Sequence, residues 1–98
     1  MTNYVVGGKT IWKSPNKKWG IDVPADGSNF FLGYRLGERV LEVGVSDGWT
    51  VYYAEIYKNG RYSVDEMFPY RVPKYVREKT YALLNKAYQN YKAGKKLY

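Results

Sequence analysis

Residues 30–68 read FFLGYRLGERVLEVGVSDGWTVYYAEIYKNGRYSVDEMF. Apolar and polar residues alternate through this stretch, and three glycine-bearing pairs punctuate it: Gly37-Glu38, Asp47-Gly48 and Asn59-Gly60. Asp-Gly and Asn-Gly favour two-residue type I′ loops, whose central residues both need positive φ, and Gly37 suits the first place of a type II′ loop. Four strands joined by three tight hairpins are therefore expected. Two-residue loops set the register, and the period of two then assigns the faces. Ser46 should pair with Trp49, Val43 with Tyr52, Lys58 with Arg61, Tyr53 with Glu66, Leu36 with Arg39 and Leu32 with Val43. One face then collects Phe30, Leu32, Tyr34, Leu41, Val43, Val45, Thr50, Tyr52, Ala54, Ile56, Ser63, Asp65 and Met67, largely aliphatic and suited to a core. The other collects Phe31, Gly33, Arg35, Val40, Glu42, Gly44, Trp49, Val51, Tyr53, Glu55, Tyr57, Tyr62, Val64, Glu66 and Phe68. Rings beside charges suit a surface that is used.

Outward from this stretch, residues 9–14 and 17–23 read as a further hairpin about Ser14-Pro15-Asn16-Lys17, with proline at the second turn position. Trp19, Ile21 and Val23 alternate with Lys18, Gly20 and Asp22, the pattern of a strand with one buried side. Trp12 stands among Lys13, Lys17 and Lys18 near the hairpin tip. Residues 1–8 are a short apolar lead, either an edge strand or a frayed arm. Residues 24–29 are dense in turn formers and form a loop. Pro69 ends the sheet, since proline cannot donate to a ladder. Pro73 suits the first position of a helix, which the 3.6-residue period carries to residue 93 with Val76, Thr80, Leu83, Leu84, Ala87 and Tyr91 on one arc. Gly94 suits the C′ position, and Lys92, Lys95 and Lys96 suit the negative end of the helix dipole. The expected fold is α+β: an antiparallel meander of about five to six strands packed against one C-terminal helix. Its parts are an N-terminal hairpin and loop (1–29), the meander (30–68) and the helix (73–93), all in a single domain of 98 residues.

Composition narrows the chemistry. An apolar content of 45% with 18% aromatics excludes a disordered chain. No run of 18 apolar residues exists to span a membrane, and glycine and polar residues interrupt the N-terminus where a signal segment would be apolar, so an intracellular protein is expected. The chain has no cysteine and no histidine, which excludes disulfides, thiolate chemistry, Cys/His zinc sites and histidine bases. No glycine-rich phosphate loop, helix-turn-helix pattern or Cys/His finger is present. Neither a cofactor nor a small-molecule substrate is implied, and no enzyme is expected. The net charge of +7 attracts polyanions, nucleic acid first.

Three groups of residues carry chemistry. Trp49, Tyr53, Tyr57, Tyr62, Phe31 and Phe68 offer rings on one sheet face, on which unpaired bases stack at about 1–3 kcal/mol each; the competing use of that face is a second core or a homodimer interface. Glu42, Glu55 and Glu66 would meet on the same face, able to hold a hard cation or split acid and base roles, or, with Arg35, to form cross-strand ion pairs. Lys74, Arg77, Tyr81, Asn85, Tyr88 and Lys92 form a strip beside the buried arc of the helix, continued by a mobile basic end at Lys95, Lys96 and Tyr98. The leading expectation is nonenzymatic nucleic-acid binding, single-stranded or weakly sequence-specific. The cations would be Lys13, Lys17, Lys18, Lys74, Arg77, Lys92, Lys95 and Lys96, and the stacking residues Trp49, Tyr53, Tyr57, Tyr81 and Tyr88. The alternative is a homodimeric interaction, structural or inhibitory protein that uses the aromatic face.

Twelve tyrosines, eleven lysines, the single glutamine Gln89 and the absence of cysteine give the chain an overall character similar to small orphan proteins of viruses infecting hyperthermophilic archaea. That resemblance implies a thermostable, dimeric viral accessory protein in the cytoplasm of an infected host cell. The order of strands followed by a C-terminal helix also resembles the layout of the positive cofactor four type of single-strand binders. Their glycine-lysine-glycine segment before the helix is replaced here by Met67 to Val72, so the likeness is one of layout.

Overall fold

In a computed structural model, which describes residues 8–31 and 38–98, Arg39–Ser46 forms the most enclosed long strand (β3); all its residues but Arg39 are buried. On either side lie Gly20–Pro24 (β2) and Val51–Tyr57 (β4), with Gly8–Lys13 (β1) and Tyr62–Val64 (β5) outermost. The five strands form one antiparallel sheet in the order β1-β2-β3-β4-β5. A short helix, Phe68–Arg71 (α1), leads into a 19-residue helix, Lys74–Lys92 (α2). The α+β architecture of antiparallel sheet and C-terminal helix follows from the alternation, the turn pairs and the helical period together.

Alternation places Ile21, Val23, Leu41, Val43, Val45, Ala54 and Ile56 on one face, where Val76, Leu84 and Ala87 of α2 cover them to form the core. Each buried aliphatic side chain contributes about 1.5–3 kcal/mol of transfer free energy. Thr80 is the one polar residue on the buried arc of α2, and its hydroxyl donates to the Val76 carbonyl at 2.8 Å. Tyr91, expected on that arc, is exposed instead. Pro73 sits one place earlier than expected, as the N-cap of α2, and Gly94 takes the C′ position with φ +71°. Strand β2 is buried on both faces, Gly20 and Asp22 included, because it lies inside the sheet.

Three corrections concern register. Around Asp47-Gly48 the loop has four residues: Ser46 pairs with Val51, not Trp49, and Val43 with Ala54, not Tyr52. The Asp47 carboxylate accepts the N–H groups of Trp49 (2.9 Å) and Thr50 (3.0 Å), and the Ser46 hydroxyl accepts that of Gly48 (2.9 Å), so side chains replace the backbone pairing of a two-residue hairpin. This shift of two leaves the faces of β3 and β4 as expected but moves Trp49 and Thr50 off the sheet into the loop. Around Asn59-Gly60 the shift is one residue. Tyr57 N–H donates to the Arg61 carbonyl and Gly60 N–H to the Tyr57 carbonyl, both at 2.9 Å, enclosing a three-residue loop whose last member, Gly60, has φ +86°. A type I′ loop needs positive φ at Asn59 too, and Lys17 is the only non-glycine with positive φ among the described residues.

The odd shift exchanges the faces of β5. Val64 joins the core and Tyr62 packs edge-on against Tyr81 of α2, while Ser63 pairs with Glu55 on the far face. Phe68, expected on the far face, is fully buried in the core, because Met67 caps α1 and Pro69 occupies its first turn. The third correction is the neighbour of β3. Its partner along Gly44–Ser46 is β2, through Asp22–Gly44, Ile21–Val45 and Gly20–Ser46, and Phe30 and Phe31 lie outside any strand. The expected pairs Leu32–Val43 and Leu36–Arg39, the Gly37 turn, and Gly33, Tyr34 and Arg35 fall on residues outside the described ones.

Candidate nucleic-acid interface

The antiparallel order gives the sheet two ends. Because Gly20 pairs with Ser46, the β1–β2 turn and the β3–β4 loop share one of them. Here the Lys17 N–H donates to the Ser14 carbonyl at 2.8 Å across the expected proline turn. Lys17, Lys18 and Trp49 are exposed at this end, Trp49 by 93%. Asp47 lies among them. Its carboxyl is held below the ordinary value first by the Thr50 N–H, which outweighs the opposing effect of burial, and then by the Trp49 N–H, with the charge of Lys18 adding to the depression. Lys13 is exposed on β1. Trp12, expected beside these cations, is drawn toward the core: a bulge at Ile11 pairs Thr10 with Asp22 but Trp12 with Ile21, turning the indole to the other face.

The opposite end gathers the β4–β5 turn, the loop after β2 and the last turn of α2. The Lys58 ammonium lies 5.9 Å from the Tyr91 ring, that of Lys92 lies 5.4 Å from the Tyr88 ring, and the Arg61 guanidinium lies 5.9 Å from the Tyr57 ring. Turn and helix meet closely, for a Cβ on Gly60 would stand 3.3 Å from the Tyr88 hydroxyl oxygen. Lys9, Lys95 and Lys96 border a cleft of about 420 Å³ beside residues 24–27. The chain after α2 is pinned rather than mobile. Lys95 N–H donates to the Asn90 carbonyl (2.8 Å), Leu97 packs against the core, and the Tyr98 hydroxyl reaches the carbonyls of Pro24 (2.8 Å) and Ser28 (3.0 Å). Burial and, less, the Asp26 charge raise the Tyr98 pKa, which keeps that hydroxyl a donor. Six cations (Lys9, Lys58, Arg61, Lys92, Lys95, Lys96) thus stand at this end. Lys9, Lys58 and Arg61 were not among the expected site residues. The signal for Lys58 and Arg61 was their place on either side of Asn59-Gly60, legible only as turn chemistry in one dimension, and Lys9 carried none.

The helix strip does not act as a unit. Arg77 donates to the carbonyls of Pro69 and Val72 and closes the C-terminus of α1. Tyr81 is held edge-on between Tyr62 at 5.0 Å and Phe68 at 6.1 Å. Tyr88 packs against the core and the Gly60 turn. Lys74 and Lys92 remain exposed but lie about 27 Å apart along the helix axis. Asn85 is exposed between them.

The far face of the sheet is acidic. Glu42 and Glu55 are direct cross-strand partners, and Asp65, not Glu66, stands beside Tyr53: its carboxylate accepts the Tyr53 N–H at 2.6 Å. Arg39, in the role expected of Arg35, forms an ion pair with Glu55 through its buried Nε, without the alignment of a hydrogen bond. Glu55 also accepts the Tyr57 hydroxyl at 2.6 Å, and Glu42 accepts the Phe31 N–H at 2.9 Å. The hydrogen bond to Glu55, ahead of burial, raises the Tyr57 pKa; burial, then the charges of Glu42 and Asp65, raise that of Tyr53. Phe31 lies against Tyr53 with ring centroids 5.8 Å apart. These rings are engaged with carboxylates and with each other, in a setting that repels phosphate. Among the described residues no group of three carboxylates is arranged to hold a metal ion. No described helix is long and apolar enough to cross a membrane. Comparison with known protein families, curated proteins and solved structures finds no match to this chain.

Proposed function

We propose that the protein binds nucleic acid without strong sequence preference, through the phosphate backbone and at the basic end of the sheet. The observation that carries this reading is the convergence of cations from three separate parts of the chain. Lys9 comes from β1, Lys58 and Arg61 from the β4–β5 turn, and Lys92, Lys95 and Lys96 from the end of α2. Lysines on such a surface bind phosphates as point charges and release counterions, which makes affinity fall with salt by about 0.7 per contact on a single strand and about 0.9 on B-form duplex, as a log–log slope. The rings of Tyr88 and Tyr91 lie beneath two of the ammonium groups and support their positions.

The test is a titration of a fluorescent single strand and of a duplex over a range of salt. Replacing Lys58 and Lys92 together by glutamine should lower the slope by about 1.4 for the single strand and about 1.8 for the duplex. An unchanged slope removes the basic end from the site, and no binding at low salt sinks the reading. A second reading, a homodimeric interaction module, is favoured by one observation: Met67, Tyr70 and Tyr75 are exposed around α1 and the start of α2, Tyr70 by 79%. The aromatic sheet face, first expected to serve as that interface, is occupied by its own polar network. Sedimentation equilibrium tests the dimer, and a monomer at all concentrations would dismiss it.

A further inference from the structure

Single strands and duplexes make different demands on a surface. A single strand is flexible, so fixed cations cost it conformational freedom, and stacking of its bases on open rings offsets that loss. A duplex keeps its bases in its own stack, is stiff over many base pairs, and carries one charge per about 1.7 Å of axis in two phosphate rows. The rings at the basic end are already in use. Tyr57, Tyr88 and Tyr91 lie under Arg61, Lys92 and Lys58 at 5.9, 5.4 and 5.9 Å. The Tyr57 hydroxyl donates to Glu55, and Tyr88 packs against the core and the Gly60 turn. Tyr91 and Tyr98 each keep 40% exposure, but Lys58 stands over the first and the hydroxyl of the second is tied to the carbonyls of Pro24 and Ser28. The freest rings are elsewhere. Trp49 is at the opposite end of the sheet, and Tyr70 lies before the start of α2, a helix length of about 28 Å from its last turn.

The cations form a band across the sheet. Lys9 is on β1, and Lys58 and Arg61 flank the turn after β4, three strand spacings away, or about 14 Å. The chain from Lys92 to Tyr98 crosses between these sides. It starts beside the turn, where Lys58 lies over Tyr91, and ends at the carbonyls of Pro24 and Ser28 after β2. Its backbone is held on the way, with Lys95 N–H on the Asn90 carbonyl at 2.8 Å and the Asn90 amide on the Leu97 carbonyl at 3.3 Å. The band is therefore set before a ligand arrives. The cleft within it singles out no ligand charge, because its three lysines share it with the α-carboxylate of Tyr98, the last residue of the chain, and Asp26 lies beside it. What the end offers is width: the two sides are separated by about the 12 Å of the B-form major groove, whose walls are the two phosphate rows.

We propose that the basic end binds double-stranded DNA in preference to single strands, with cations of the β1 side and of the β4–β5 side on the phosphate rows that flank one groove. The proposal rests on the nucleic-acid reading above and names the class of ligand. It departs from the expectation of a single strand, which depended on open rings; at this end the rings hold cations in place, and no base is read.

The experiment titrates the full chain with a fluorescent DNA duplex of mixed sequence and with each of its two strands, over a range of salt. Per site, the duplex should bind on the order of tenfold more tightly at low salt, the scale of about two further phosphate contacts. Lys9→Gln and Lys58→Gln, one from each side, should each lower the duplex slope by about 0.9, and together by about 1.8. Both lysines are exposed, so the variants should fold. Tyr91→Leu should weaken duplex and strands alike, through Lys58. Either strand binding as tightly as the duplex overturns the preference and leaves backbone binding standing. A duplex slope unchanged by Lys9→Gln or by Lys58→Gln overturns the placement across both sides. A tenfold loss in Tyr91→Leu confined to the single strands would put bases on that ring and overturn the inference as well. No binding of duplex or strands at low salt overturns it together with the reading beneath it.

Discussion

The far face of the sheet and the basic end are built from the same kinds of residue, tyrosines among charges, and they come to opposite uses. On the far face, Glu42, Glu55 and Asp65 accept hydrogen bonds from Phe31 N–H, the Tyr57 hydroxyl and Tyr53 N–H, and Arg39 answers Glu55. Each of these three carboxylates is engaged by a neighbouring group. At the basic end the ammonium groups of Lys58 and Lys92 lie over rings rather than against carboxylates, so their charge faces solvent. Aromatic and charged composition alone does not mark a binding surface; the sign of the partner beneath each charge does.

The comparison breaks if the far face proves dispensable for stability. Arg39→Ala has the largest expected effect, about 3 kcal/mol of destabilisation, because it strands two adjacent and mostly buried carboxylates. Urea unfolding measures it, and a cost under about 0.5 kcal/mol would refute a structural role for that network. Next, Gly60→Ala should cost about 1–2 kcal/mol, since its left-handed φ penalises a side chain and the new Cβ meets the Tyr88 hydroxyl. As Gly60 joins the β4–β5 turn to α2, this variant should also weaken strand binding, whereas Arg39→Ala, assayed while still folded, should not.

Tyr57 sharpens the contrast through pH. Its folded pKa is raised above the ordinary value near 10, so its contribution to stability is present below that pH and is lost as pH climbs through the folded value. Tyr53 and Tyr98 shift in the same direction. Tyr57→Phe should cost about 1 kcal/mol near neutrality and flatten the alkaline decline, as followed by denaturant midpoints and phenolate absorbance. The smallest effect belongs to Trp49→Ala, which should change stability by less than about 0.5 kcal/mol, since the indole is almost wholly exposed. If strands are held only at the basic end, it should also leave their affinity alone. A loss of 1–3 kcal/mol of binding would extend the interface to the other end of the sheet.

Much of this architecture is local and was legible along the chain. Proline at residue 73, glycine at residue 94 and the period between them bound α2 to within a residue or two, because helix ends depend on nearby backbone groups. Alternation places Leu41, Val43, Val45, Ala54 and Ile56 on one face, and a shift of two at Asp47-Gly48 does not disturb it. The pair Asn59-Gly60 is equally clear as a turn, yet its three-residue loop reverses β5 and carries Tyr62 and Val64 to the helix side. Expected site residues fared according to their reach. Lys92, Lys95 and Lys96 follow one another on the chain and remain together. Arg77, Tyr81 and Tyr88 are spent on α1, Tyr62 and the Gly60 turn, which no helical projection contains.

By itself the sequence determined where the chain turns, which segments alternate, where the long helix starts and stops, and that its chemistry is cationic and aromatic without thiol or imidazole. These depend on φ preferences, side-chain period and residue type, all properties of a few neighbouring residues. The tertiary structure alone decided that β2 pairs with β3 along Gly44–Ser46, that Phe68 is core, that the far face is acidic and engaged with itself, and that Lys9 and Lys58 stand with Lys95 and Lys96. Each of these is a meeting of residues from distant parts of the chain, set by which apolar faces close together and which hydrogen bonds the turns accept.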